Sequence, residues 1–493
     1  MNKIVYLPLD ERPCNIAYSA AVSEGHEAFS LVCPDISEMG VKKTPADYEK
    51  IKAFLQRECR DADQLIIALD TLLYGGIIPS RLHHLKREEL AERLGVLKMV
   101  KEENPGLHVS AFSLVMRCPC YSDNCEEPDY YGVCGKEIFR YGQNEHRYKL
   151  GEISRAEYEK ERECCSSCFP YIEDYETRRA VNIDCLTDAL VMVGKYIDEF
   201  TILQDDSNAR GYTAMDRERV LNVVNAHGID LDTYPGADEA GLTLLSRAAT
   251  RIEKRSPKIY AAYPRAGAAD VVPIYEDREI RKTVSAQIKS AGAVECFCEE
   301  EADFVLYCNL NDERTYDVYL NYAKQTDESY IPDFVDRIAR TLESGKGAAV
   351  ADIAYCNSGD LTFIAEMERK FGVMKLWGYA GWNTASNTLG TVICQSVLRY
   401  LYGDSAAHRK FIAHRIMDDA VYMADVRREM MGLGYGTNVV PVAQRGEVCE
   451  RIIQLVNERT PKLCPSISEK YYAVDCYLPW HRLFEIGLKI KEK

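Results

Sequence analysis

Again and again along the first two-thirds of this chain, a short β-branched and apolar run breaks off on polar or charged residues, and a stretch of helical periodicity follows. Ile4–Leu9 ends on Asp10, Glu11 and Arg12, and Leu65–Leu69 on Asp70. His108–Met116 ends on Arg117, Phe200–Leu203 on Gln204–Asp206, and Lys258–Tyr263 on Pro264 and Arg265; Phe29–Val32 is a further such run. Glu88–Glu103 and Asn182–Ile197 carry apolar residues at three- and four-residue spacing, as amphipathic helices do. Strands alternating with helices predict parallel pairing through helical crossovers. Two architectures satisfy that pattern, a closed (β/α) barrel and an open doubly wound sheet, and both gather function at the carboxyl ends of their strands.

The expected fold is therefore α/β, with a (β/α) barrel-like N-terminal domain over 1–290 and a smaller α/β to helical C-terminal domain over 291–493. Residues 119–175, rich in Tyr, Cys, Glu and Gly, interrupt the pattern as an insertion, a candidate lid or wall. Ala302–Leu310, Ala348–Tyr355 and Val373–Tyr379 read as further strands, and the chain turns helical from Ser386 to about Gly434. Phe484, Ile486, Leu488 and Ile490 alternate with polar or small residues, the period of a half-buried terminal strand.

Composition narrows the partners. The formal net charge of −16 argues against nucleic acid, whose phosphates need clustered Lys and Arg, and against anionic membranes. A neutral or cationic small molecule fits better. Charge arrives at Asp10 and Glu11, too early for a secretory apolar region, so a cytoplasmic location is expected. In a reducing compartment the 19 cysteines read as thiols, including the groups at Cys118–Cys134 and Cys164–Cys168, which lack the paired knuckles of a standard zinc site.

Candidate chemistry begins with Asp205 and Asp206. Neighbours in a strand face opposite sides, so a buried Asp-Asp pair would strand a charge in the core, whereas at a strand's end both can reach a cleft. Two close carboxyls do not both ionise easily; one becomes an acid near neutrality while the other stays charged. Glycosidic bond cleavage uses that division of labour. The competing structural reading makes the pair a helix N-cap.

"LDTLLYGGIIPSR" (69–81) adds Asp70, Tyr74, Gly75, Gly76 and Arg81, with glycines for close backbone approach and an arginine able to hold a carboxylate. It lacks the Lys-Ser/Thr of a P-loop, and no G-x-G-x-x-G follows the first strand. "LPLDERPCN" (7–15) contributes Asp10 and Arg12, stiffened by Pro8 and Pro13. Asn208 and Arg210 flank the Asp pair. Asp238 and Glu239 sit in a Gly-flanked turn that also reads as a plain helix start. Tyr263 closes the Lys258–Tyr263 run, and "DIAYCNSGD" (352–360) contributes Asp352 and Asn357. "YAGWNTASNTLGT" (379–391) supplies Trp382 as an aromatic face for a sugar ring, with Asn383, Asn387 and Thr388 as hydrogen-bonding groups. No H-E-x-x-H or G-x-S-x-G is present.

The runs LPLDERP, DTLLYGGIIPSR, EEPDYYG, QDDSNARG, PGADE, AYPRAGAAD, DIAYCNSGD, AGWNTASNTLGT and LPWHRLFE, in this order over nearly the whole chain, resemble a bacterial family catalogued as domain of unknown function 4127. The Asp pair alone is similar to that of retaining N-acetylglucosaminidases of the O-GlcNAc-hydrolase type. That likeness implies Asp205 as orienter of a nucleophilic 2-acetamido group and Asp206 as acid/base.

The leading expectation is a glycoside hydrolase with Asp205 and Asp206 catalytic, no cofactor and no metal. The other residues named would contact substrate. One alternative is a divalent-metal hydrolase built on Asp10, Asp70, Asp205 and Asp206. Another is a non-catalytic sugar- or metabolite-binding protein of two domains, hinged near residue 290.

Overall fold

The computed structural model describes residues 1–311, 314–317, 327–435 and 439–493. The chain folds into two compact units: 1–11, 29–237 and 275–277 form the first, and 12–28, 238–274 and 278–493 the second. The main crossing thus falls at 237–238, not near 290, and the second unit takes the larger share of the chain.

The first unit is built on six parallel strands: β1 Asn2–Leu7, β2 Phe29–Val32, β3 Gln64–Ala68, β4 His108–Val115, β5 Glu199–Gln204 and β6 Asp232–Pro235. Their order is β2-β1-β3-β4-β5-β6. β2 and β6 are edges, so the sheet is open, and the barrel expectation is corrected. Closure depends on whether the outermost strands pair, which strand–helix alternation leaves undetermined. Ile66 pairs with Tyr6 and Ser110, and Phe112 with Ala68 and Thr201. Every residue of β3 is buried, as a strand covered on both faces requires.

Local signals set the crossover helices. The Asp47 side chain accepts from Glu49 N and Lys50 N to start helix Tyr48–Glu58. The Glu89 side chain reaches back to Lys86 N at the start of Arg87–Glu103. The insertion folds as helices Tyr131–Lys149 and Arg155–Cys164, leading into Phe169–Leu190, around a core that includes Tyr131, Ile138, Ile172 and Tyr175. Cys134 and Cys168 in this core form a disulfide with Cα atoms 6.0 Å apart, correcting the reading of every cysteine as a thiol.

The second unit is also α/β. β7 Lys258–Ala262, β8 Val294–Cys296, β9 Phe304–Asn309, β11 Gly347–Asp352 and β13 Gly378–Ala380 form a parallel sheet in the order β13-β11-β9-β7-β8, open as well. β10 Tyr316–Asp317 and β12 Tyr355–Cys356 make a separate two-stranded pairing. Helices Ile280–Ser290 and Ala385–Tyr402 cover the sheet, with Val284, Ile288, Leu389 and Val392 packed in one core with Ile259, Phe304, Leu306 and Ala349. The terminal strand is β15 Gly487–Glu492, antiparallel to β14 Tyr471–Tyr477.

Candidate functional site

The carboxyl ends of β3, β4 and β5 bring a cluster of charges together in the first unit. Gly75 and Gly76 take φ of 90° and 135° and turn the chain after helix Leu69–Tyr74. A Cβ on Gly75 would lie 2.5 Å from Pro45 Cβ, so only glycine passes there. The turn Pro79–Arg81 follows, and Asn182 Nδ2 donates to Ser80 O at 2.9 Å, fixing the backbone beside Arg81. Arg117 lies two residues beyond the last residue of β4. Its carbonyl accepts from Tyr175 Oη and Arg179 Nη1, each at 2.9 Å.

From these two anchored positions the guanidiniums share out four carboxyl groups. Arg81 Nη2 donates to Asp205 Oδ2 at 2.6 Å, and its Nη1 to Glu127 Oε1 at 3.1 Å. Arg117 donates Nε to Glu127 Oε1 at 2.8 Å, Nη1 to Asp206 Oδ2 at 2.9 Å and Nη2 to Glu126 Oε2 at 2.9 Å. Glu127, 1% exposed, thus bridges the two arginines, and Glu126 Oε2 accepts from Arg81 Nη1 as well, at 3.5 Å. Both arginines are committed to the protein's own carboxylates, and carboxyls outnumber guanidiniums two to one.

Asp206 adopts φ of 40°, a left-handed backbone that Asp tolerates better than most residues. That twist ends strand alternation, so consecutive carboxyls engage neighbouring arginines. The side chains keep 16% exposure at Asp205 and 24% at Asp206. Lost hydration, then the charge of Asp205, push the Asp206 carboxyl up to about 6, against the pull of Arg117 and Arg81. The N-cap reading fails. The next helix, Tyr212–His227, starts after Gly211 and has no side-chain cap.

Other first-unit candidates lie apart from these contacts. Asp70 is buried and accepts from Ser113 Oγ at 2.9 Å and Leu114 N at 3.1 Å, tying β3 to β4; burial raises it to about 6. Tyr74 stacks on His83 with centroids 4.6 Å apart. Asp10 is buried just beyond β1. Asn208 is exposed, and Arg210 turns to Glu152 at 2.9 Å. Arg81, expected to hold a carboxylate, holds those of Asp205 and Glu127.

The remaining candidates belong to the second unit. Arg12 Nη2 donates to Asp238 Oδ1 at 2.5 Å and the guanidinium lies 4.5 Å from the Trp480 ring. Asn383 Nδ2 donates to Asp238 Oδ2 at 3.3 Å, and Asn387 Oδ1 accepts from Asp238 N at 3.1 Å. Glu239, 1% exposed, accepts from Gln287. Trp382 is 5% exposed and packs edge-on to Phe484, so it is a core ring and not an open platform. Thr388 Oγ1 donates to Trp382 O. Asn357 has φ of 67° and donates its N–H to Asn383 O. Asp352 is fully buried and accepts from Asn309 Nδ2, Asp360 N and Tyr379 Oη at 2.8–2.9 Å, with both oxygens engaged. Tyr263 is half-buried against the sheet core.

Sequence reasoning omitted Arg117, Glu126 and Glu127 from the site. Arg117 carried the available signal, a charged residue ending an apolar strand; Glu126 and Glu127 lie in the insertion, where no periodicity marks them. Among the described residues, no three His, Cys, Asp or Glu are arranged to hold a metal ion, and the carboxylate metal site of the first alternative lacks its ligand set. No helix of the described residues is long and apolar enough to cross a membrane.

The fold and cluster define a parallel α/β protein with a carboxylate–arginine site at its strand ends. The chain belongs to the family described as Protein of unknown function (DUF4127), whose model matches residues 4–489. Comparison with curated proteins finds no match.

Proposed function

We propose that the protein is a glycoside hydrolase in which Asp206 is the general acid and Asp205 the charged partner. The observation that carries this reading is the paired carboxyls at the end of β5, separately held by Arg117 and Arg81, with Asp206 raised to about 6. Arg117 takes Asp206 Oδ2, leaving Oδ1 to carry the proton that a leaving-group oxygen requires. Asp205, through Oδ1, orients the sugar or its 2-acetamido group. The excess of carboxyls over guanidiniums favours positive charge, which develops at the anomeric carbon as the bond breaks. Arg81, Arg117, Glu126 and Glu127 position the pair.

Hydrolysis of aryl glycosides, with and without a 2-acetamido group, tests the reading. Turnover by the wild type and its loss in Asp206→Asn, with ligand still bound, support it. Full activity in that variant removes Asp206 as acid. Ligand-induced thermal stabilisation without product, across the panel, favours a binding protein instead.

A further inference from the structure

The second unit holds a cavity of about 360 Å³ that the carboxylate cluster does not use. Its walls come from helix Ala17–Ser23, helix Ala406–Arg415 and the β14–β15 hairpin. The floor is apolar: Tyr18, Phe411, Leu488 and Ile490 are each 6% exposed or less. Tyr18 is fixed from behind, with Arg415 3.7 Å from its ring centroid and its hydroxyl donating to Asp418 Oδ2 at 3.1 Å. His414 adds a ring stacked with Phe411 at 6.4 Å between centroids. Its Nδ1 accepts from Arg415 Nη2 at 2.9 Å, so the other nitrogen, Nε2, carries the hydrogen and donates to Leu488 O at 2.8 Å. Burial and Arg415 keep that imidazole neutral, pushed down to about 3. The floor therefore carries no charge.

The rim does. Lys410, Lys489 and Lys491 line the cavity together with Glu24. Lys489 is paired with Asp475 at 2.8 Å, whereas Lys410 and Lys491 have no carboxylate partner among the described residues. In a chain of net charge −16, two unpaired ammonium groups over a preformed apolar floor are a local reversal of sign. Ligand cavities typically combine such a floor with a few charged groups that fix orientation.

We infer that this cavity binds a small amphipathic carboxylate, its aliphatic chain against Tyr18, Phe411, Leu488 and Ile490 and its carboxylate at Lys410 and Lys491. Neither ammonium leaves its hydrated surface, and the apolar chain supplies the burial.

Calorimetric titration of the full chain with sodium octanoate tests this. Saturable one-to-one binding is expected, with octylamine binding at least tenfold more weakly because its cation meets the lysines. Lys410→Gln with Lys491→Gln should weaken octanoate about tenfold while leaving the melting temperature unchanged. Ala407→Phe, which fills the cavity from one wall, should abolish binding in a protein that still folds by circular dichroism. Absence of saturable binding overturns the inference. So does equal affinity for octylamine, or unchanged octanoate affinity in both variants.

Discussion

The two sheets share a plan and differ in what they do with acid groups. In each, the first strand lies between the second and third, and later strands add outward: β2-β1-β3-β4-β5-β6 in one unit and β8-β7-β9-β11-β13 in the other. Each carries aspartates at or against its carboxyl edge. In the first unit, Asp205 and Asp206 retain 16% and 24% side-chain exposure, and each has an oxygen not taken by its arginine. In the second, Asp352 and Asp419 are wholly buried. Asp352 accepts from three donors, and Asp419 accepts from Arg415 Nη1 at 2.7 Å and Gly381 N at 2.9 Å. Topology brings acids to the strand ends in both units; exposure separates the pair proposed to react from the acids held inside the second unit.

The largest contrast should come from Asp206→Asn. Removing a general acid costs roughly 10²–10⁴ in rate, while a partly exposed side chain replaced by its isostere leaves stability nearly unchanged. Aryl glycoside kinetics beside a denaturant melt checks both halves. A variant that loses stability in proportion to activity would place Asp206 with the structural acids.

Arg415→Met should reverse the pattern in the second unit. It strips the cation from Asp418 and Asp419, which Arg415 contacts at 2.6 and 2.7 Å. Removing one partner of a buried ion pair costs about 3–5 kcal/mol. Trp377, Trp382 and Trp480 are the chain's only tryptophans and all lie in the second unit, so tryptophan fluorescence reads its unfolding selectively. An unshifted fluorescence midpoint would break the assignment of these acids to stability.

What the sequence disclosed follows the same division. Strands such as Gln64–Ala68 and Phe304–Asn309 were readable because every residue in them is buried, and a strand covered on both faces is mostly apolar along its length. β6 Asp232–Pro235 and β8 Val294–Cys296 were not: both are short edge strands with little side chain to bury. Of the site, Asp205 and Asp206 stood out because paired charges after an apolar run demand an explanation. The bridge through Glu127 was illegible because it joins an insertion residue to Arg81 and Arg117, contacts that only the folded chain creates. Trp382 misled for a related reason. An aromatic among Asn and Thr suits a sugar platform and a core equally, and burial alone decides.

Acidity sharpens the comparison further. In the proposed mechanism Asp206 acts protonated, so turnover should fall as pH rises through about 6. In the second unit burial raises Asp352 and Asp419 to about 7. A carboxyl with a raised folded-state pKa holds its proton more tightly folded than unfolded. Its contribution is greatest below the unfolded value near 3.8 and is lost as pH climbs towards 7. Each such group contributes a slope of at most about 1.4 kcal/mol per pH unit. Tryptophan-monitored unfolding at pH 5 and pH 7 should therefore show a smaller loss of stability in Asp352→Asn than in the wild type. An identical loss would assign the slope to other groups.

The smallest effect belongs to Asp360, where two influences oppose. Its carboxyl caps helix Leu361–Lys370 by accepting from Thr362 N at 3.0 Å and Phe363 N at 3.2 Å. Burial meanwhile raises it to about 6, so at neutral pH the cap carries a charge that its dry surroundings resist. Asn caps helices as well as Asp does and brings no charge. Asp360→Asn should therefore change stability by less than about 1 kcal/mol, whereas Asp360→Ala, which leaves both amides without their acceptor, should cost about 0.5–2 kcal/mol. Denaturant midpoints by tryptophan fluorescence separate the two. A loss in Asn matching that in Ala would mean that the negative charge itself is required at this buried helix start, and the acids of the second unit could no longer be set apart from those of the first.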